Sequence, residues 1–169
     1  MDSELLGQLL DRHADALELY ARQWCDTPED IVQEAFVKLA AQRVPPDDPA
    51  AWLFRVVRNA GINAATAARR RRRHETAARI TTSAWFQADT SGHADAVDPE
   101  TAQAELAALP IEQREVIVAR LWGGLTFEQV AAVAGCSTSQ AHRLYQAGLN
   151  SLRERLGVPC RSKSRPIPG

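Results

Sequence analysis

The chain has 169 residues, 45% apolar and 24% charged, enough for one ordinary domain or two small ones and too apolar for a chain disordered throughout. Its three cysteines, Cys25, Cys136 and Cys160, are odd in number and widely spaced, which excludes a Cys-x-x-Cys zinc or dithiol site and fits a reducing compartment. The net charge of −1 conceals segregation: −7 over residues 1–50, +7 over 51–79, −6 over 80–113 and +5 over 114–169. Two basic blocks alternating with acidic ones predict two polyanion-facing surfaces, and acidic stretches suited to a basic protein groove. The start MDSELLGQLL lacks the basic-then-apolar order of a secretory signal, and no apolar run approaches the ~18 residues of a membrane span. A cytoplasmic protein with no membrane insertion is expected.

In chain order, Leu6, Leu9, Leu10, His13, Leu17, Tyr20 and Trp24 recur at helical spacing and predict an amphipathic helix over about 3–24. His13 falls on or beside the apolar stripe and is read as a packed, hydrogen-bonded core residue. Thr27-Pro28-Glu29-Asp30 is a helix start, with a capping threonine, proline at the first position and acids where the helix dipole favours them. The helix it opens runs to about residue 41, with Ile31, Ala35 and Leu39 as its apolar line and Asp30, Gln33, Glu34 and Lys38 on the exposed side.

Pro45, Pro46 and Pro49 interrupt the helices, and Asp48-Pro49 starts the third. Trp52, Val56, Ala60 and Ala64 form its apolar line, while Arg55, Arg58, Asn59 and Asn63 decorate the rest. The helix ends in Arg69, Arg70, Arg71, Arg72 and Arg73, so its seven arginines meet no acid between residues 51 and 74. Cationic and amide side chains without internal neutralisation suit phosphate and base contacts. Residues from about 75 to 100 read as an acidic linker, with Trp85-Phe86 as its one clear apolar pair. A helix opens at Asp98-Pro99, another runs over 111–122, and Gly123-Gly124 ends it.

The most informative stretch is 126–156. Thr126 with Gln129 forms a capping-box signal, Gly135 is a helix stop, and Ser137 with Gln140 repeats the cap, so two helices lie about three residues apart. This is a helix-turn-helix pattern. Packing of its apolar faces would leave Thr138, Ser139, Gln140, His142, Arg143 and Gln146 outward, a set that can hydrogen-bond base edges and hold phosphates. The chain closes with VPCRSKSRPIPG, a basic, proline-rich tail expected to be disordered. No catalytic, phosphate-loop, metal or cofactor signature is present, so neither enzymatic activity nor a cofactor is expected.

Taken together, DIVQEAFVKLA, AWLFRVVRNAGINAATAARRRRR and the run from LPIEQREV to SLRERL resemble the small, two-domain extracytoplasmic-function (ECF) group of bacterial sigma-70 factors. The resemblance implies an all-α fold: a region-2 helical bundle over 1–75, an acidic linker over 76–99, a region-4 helix-turn-helix domain over 100–157 and a tail over 158–169. Asp30, Gln33, Glu34 and Phe36 match the D-x-x-Q-E-x-F signature of the helix that docks on core RNA polymerase. The segment 52–59 matches the helix that engages the −10 promoter element, with Arg55, Arg58, Asn59 and Asn63 as contacts and the arginine run beyond them. The helix carrying Ser139 to Gln146 is implied to read the −35 element. Core polymerase, promoter DNA and an anti-sigma factor are the implied partners. In two places the chain departs from the family pattern: a short, proline-rich loop over 43–50, and Arg143 displaced by one position from the usual arginine. A stand-alone helix-turn-helix regulator and an RNA- or protein-binding adaptor are the competing readings of the same residues.

Overall fold

A computed structural model of the protein describes residues 3–74 and 99–157, with the side chains of residues 73, 74, 99 and 100 outside the description. The expected linker with Trp85-Phe86 and the basic tail also lie outside the described residues. Among those described there are seven α-helices and no strand: α1 (Ser3–Ala21), α2 (Pro28–Ala40), α3 (Pro49–His74), α4 (Pro99–Ala107), α5 (Ile111–Leu121), α6 (Phe127–Ala134) and α7 (Thr138–Arg155). Helices α1 to α3 pack mutually as one bundle, and α5 to α7 as another, with α4 against α7. The two bundles also meet, α3 against α6 and α1 against α5, so a single apolar core runs through both.

The N-terminal bundle is closed by the stripes that the periodicity predicts. Leu17 and Tyr20 of α1, Leu39 of α2 and Leu53, Phe54 and Val57 of α3 are fully buried. One boundary differs. Helix α1 ends at Ala21, and Trp24 lies in the turn that follows, its amide bonded to the Ala21 carbonyl at 3.0 Å. From there its indole meets Tyr20 edge-on at 5.0 Å and fills the slot left by Gly61 of α3. Thr27 precedes α2 but makes no side-chain cap, since its ψ of 67° lies outside the extended geometry that aims the hydroxyl at the first turn. Pro28 and the acids Glu29 and Asp30 still mark the start. Asp48 caps α3 through its Oδ1, which accepts from the Ala51 amide at 3.0 Å.

In the C-terminal bundle the local signals are realised. The Thr126 hydroxyl accepts from the Gln129 amide at 3.3 Å while Gln129 Oε1 accepts from the Thr126 amide at 2.6 Å, the reciprocal bonds of a capping box. Gly135 adopts φ 72°, a left-handed conformation that a side chain would strain, and its amide closes α6 on the Ala131 carbonyl. Ser137 then caps α7, accepting from the Gln140 amide at 3.2 Å. Gly148 lies where α7 packs against α5, and an added Cβ there would lie 2.6 Å from Ile117 Cδ1 and 3.2 Å from Gln113 Cβ. Gly148→Val is therefore expected to cost about 1–3 kcal/mol by overpacking, read as a fall in the urea unfolding midpoint with an unchanged slope.

Candidate polymerase and nucleic-acid interfaces

Helix α2 presents the first surface. Its buried face carries Val32, Ala35, Phe36 and Leu39, which leaves Asp30, Gln33 and Glu34 exposed. Glu34 pairs with Lys38 one turn on at 2.9 Å, an exposed contact of small energetic weight. Phe36 is buried at 6% exposure. It also lines an open, mostly apolar groove of about 480 Å³ between α1 and α2, with Leu6, Leu10, Val32 and Val37. Leu10 and Val37 are 46% and 62% exposed, so an apolar strip runs beside the acidic one.

The second surface belongs to α3, about 39 Å long at 1.5 Å per residue. Arg55, Asn59 and Asn63 are exposed, as are Arg69, Arg70, Arg71 and Arg72 at its far end, whereas the Arg73 side chain lies outside the described residues. Arg58 differs. Its Nε is hydrogen-bonded to Glu115 Oε1 of α5, and its Nη2 lies 3.4 Å from Glu115 Oε2. The Tyr20 hydroxyl donates to the same Oε1 at 2.7 Å. Glu115 is buried at 4% exposure, and Arg58 and Tyr20 from the other bundle both bond its carboxylate. Burial alone pulls the Arg58 pKa down, and the bond and charge of Glu115 outweigh it, so the guanidinium is held above its ordinary value. Burial, then the neighbouring carboxylate, push the Tyr20 phenol well above its usual range, and it stays a donor.

A second polar contact joins the bundles at the base of the helix-turn-helix. The Gln129 side chain that completes the capping box also donates its Nε2 to Asp48 Oδ2 at 2.5 Å. Asp48 thus caps α3 with one oxygen and holds α6 with the other. The bundles also meet where Gly123 lies against Phe54, at which a Cβ would come within 2.6 Å of Phe54 Cζ.

The third surface is the outer side of α7. Thr138, Ser139, Gln140, His142, Arg143 and Gln146 are all exposed, so the helix-turn-helix brings the predicted set together on one open side. His142 is also braced, its ring 5.0 Å from Phe127 in edge-on geometry, and Tyr145 meets the same ring at 5.4 Å. Arg120 stacks over Phe127 at 5.1 Å and donates Nη1 to the Leu125 carbonyl at 2.7 Å, which ties α5, the turn and α6 together.

Sequence reasoning missed Glu115, Tyr20 and Asp48 as contacts between bundles. For Glu115 a signal was present, an acid four residues after Ile111 and three before Val118 on an apolar line. His13 is buried beside Phe54 as expected, but the expected hydrogen bond is not made at Nδ1, which has no partner among the described residues. Burial, then the Arg12 charge, lower its pKa below 6.5, while Asp48 opposes them. A histidine held neutral in the folded state contributes its full stability above the unfolded pKa, and that contribution is lost as pH falls through about 6.5 toward the folded value. The melting temperature of wild-type protein should therefore drop more between about pH 7.5 and about pH 5.5 than that of His13→Phe. Equal drops would show that His13 does not titrate in this way.

Among the described residues no group of His, Cys, Asp and Glu is placed to hold a metal, and no helix is long and apolar enough to cross a membrane.

Comparison with known proteins now adds the family. Residues 9–73 match Sigma-70 region 2, and residues 106–154 match Sigma-70, region 4. No curated protein sequence matches significantly. Among solved structures, the sigma factor RpoE from Bartonella quintana, in complex with the anti-sigma factor NepR, superposes with a TM-score of 0.73 at 25% identity, over 90% of this chain and 96% of that one. CnrH, in complex with the cytosolic domain of CnrY, superposes at 0.59 and 25% identity, over 92% and 90%. The order of the two matched regions, the all-α pair of bundles and the fit over nearly the whole of both sigma structures agree, and the chain belongs to the sigma-70 family as an RNA polymerase sigma factor of the ECF group.

Proposed function

We propose that the three surfaces divide the work of a sigma factor as the family resemblance implies. Asp30, Gln33 and Glu34, with the apolar groove beside them, dock on core polymerase. Phe36 positions that helix from within the core. Arg55, Arg58, Asn59 and Asn63 engage the −10 element, and the run Arg69 to Arg73 holds phosphates nearby. Thr138, Ser139, Gln140, His142, Arg143 and Gln146 read the −35 element. The region-2 module comprises residues 1–75 and the region-4 module 100–157, with 76–99 between them and 158–169 beyond. The protein acts in the cytoplasm, has no catalytic centre of its own and works on promoters through the polymerase it carries. An anti-sigma factor is a further partner, supported by the similar RpoE structure solved with NepR.

The observation that carries this reading is the coexistence, in one chain, of an exposed acidic helix, an acid-free basic helix and an open recognition helix. A stand-alone regulator needs only the last of these. The test is association with purified core polymerase. Tagged wild-type protein should retain core, and Asp30→Ala/Gln33→Ala/Glu34→Ala should lose it while keeping its helical circular dichroism. Tight, sequence-specific duplex binding by the protein alone, with no retention of core, would favour the stand-alone regulator.

A further inference from the structure

His142 stands apart from the other polar side chains on the outer side of α7. Ser139, His142, Arg143 and Gln146 follow the i, i+3, i+4, i+7 spacing of one helix face, which puts His142 within it. The same residue borders the face packed on α6. Its ring meets Phe127 edge-on, with centroids 5.0 Å apart and planes at 63°, and Tyr145, three residues further along α7, meets Phe127 at 5.4 Å. Phe127 is held in turn by Arg120, whose guanidinium lies 5.1 Å from the ring centroid while its Nη1 donates to the Leu125 carbonyl at 2.7 Å. A chain of contacts therefore runs from α5 through Arg120 and Phe127 to His142, which is exposed at its end. Neither imidazole nitrogen of His142 is hydrogen-bonded among the described residues.

Preorganisation favours the braced side chain as a reader of bases. Arg143 and Gln146 are long side chains that give up rotamer freedom when they settle on a base edge, and that entropy opposes binding. His142 has only two side-chain torsions and its ring already rests on Phe127, so a contact made by it needs little further ordering. The imidazole keeps at least one N–H donor whether neutral or charged, whereas its acceptor nitrogen exists only in the neutral form. In the major groove both purines present N7 as an acceptor. We infer that His142 is a specificity-determining residue of the −35 contact, donating to N7 of a purine, and that Phe127, held by Arg120, is the positioning residue that fixes its ring. The inference rests on the −35 reading of α7 and assigns one base contact within it.

The test uses the holoenzyme formed by the full chain and core polymerase. A promoter from which it initiates is randomised over the −35 element, selected for initiation and sequenced. Wild type should prefer purines at one position, and His142→Ala, a change at an exposed side chain, should lose that preference by roughly fivefold, the usual contribution of one hydrogen bond, with the other positions unchanged. Phe127→Leu should weaken the preference at the same position only, and Phe127→Tyr, which keeps the ring, should retain it. A 7-deazapurine, in which C–H replaces N7, should cost wild type about the same factor at that position and His142→Ala nothing. Purine selection that survives His142→Ala, or a 7-deazapurine penalty equal in the two proteins, would overturn the assignment of His142. A Phe127→Leu effect spread evenly over the element would overturn the positioning role of Phe127. If Arg143→Ala/Gln146→Ala abolishes selective initiation while His142→Ala keeps the full wild-type profile, the −35 reading of α7 stands and this inference alone falls. If neither substitution alters selection, the −35 reading falls with it.

Discussion

Phe54→Ala is expected to lower the stability of the folded protein by about 3–5 kcal/mol, the usual cost of emptying a buried phenylalanine site. The magnitude belongs at the upper end because the ring serves two neighbours at once. Within the N-terminal bundle it meets Tyr20 edge-on at 5.1 Å and His13 at 6.5 Å, and it is fully buried. Across the interface it packs on Gly123, where the Ala119 carbonyl oxygen blocks any side chain from filling the space instead, since a Cβ would lie 2.5 Å from it. Neither side can collapse without moving a helix. Equilibrium urea unfolding followed by circular dichroism should show the loss as a lower midpoint. A loss below about 1 kcal/mol would mean that the bundles repack around the missing ring.

The second large effect is functional. Arg143→Ala/Gln146→Ala should abolish selective initiation while leaving both fold and polymerase association intact. Both side chains are exposed on α7, and neither belongs to the apolar core. Good bidentate contacts to base edges discriminate by about 1–3 kcal/mol each, so losing two such contacts removes on the order of a hundredfold or more in preference for the correct −35 sequence. Run-off transcription with core polymerase reads this directly: the wild-type transcript should disappear, and the double variant should still co-purify with core. Undiminished selective transcription would place −35 reading elsewhere and would favour an adaptor role for the chain.

How much of this was legible in the sequence depended on range. The helix-turn-helix could be read residue by residue because its boundaries are fixed within four residues: Thr126 bonds Gln129, Gly135 turns left-handed, and Ser137 bonds the amide of Gln140. The same holds for the Asp48-Pro49 start of α3. Where the local rule failed at Thr27, the backbone left the extended geometry that the rule assumes. Phe36 matched a docking signature, yet its ring is in the core, because a motif match does not separate residues that touch a partner from residues that hold the touching face.

The contacts between modules were not legible at all. Helix α3 reads as acid-free over residues 51–74, and that pattern alone assigns Arg58 to phosphate. Its acid arrives from 57 residues downstream, and the tyrosine that completes the shell lies 95 residues before that acid. Charge segregation predicted two polyanion-facing surfaces and gave no sign that the structure would bring α3 against α6 and α1 against α5. Charge totals over blocks do not reveal that one buried carboxylate at position 115 can hold the two together. Gln129 shows the same limit on a smaller scale, since its capping bond is local and its bond to Asp48 spans 81 residues.

The measurement that tests the central claim most directly is transcription from genomic fragments by purified core polymerase, with and without this protein. The account predicts discrete transcripts that start at defined promoters only when the protein is present, and that vanish with Arg143→Ala/Gln146→Ala. Active core and folded protein that together yield no specific initiation on any template would contradict it.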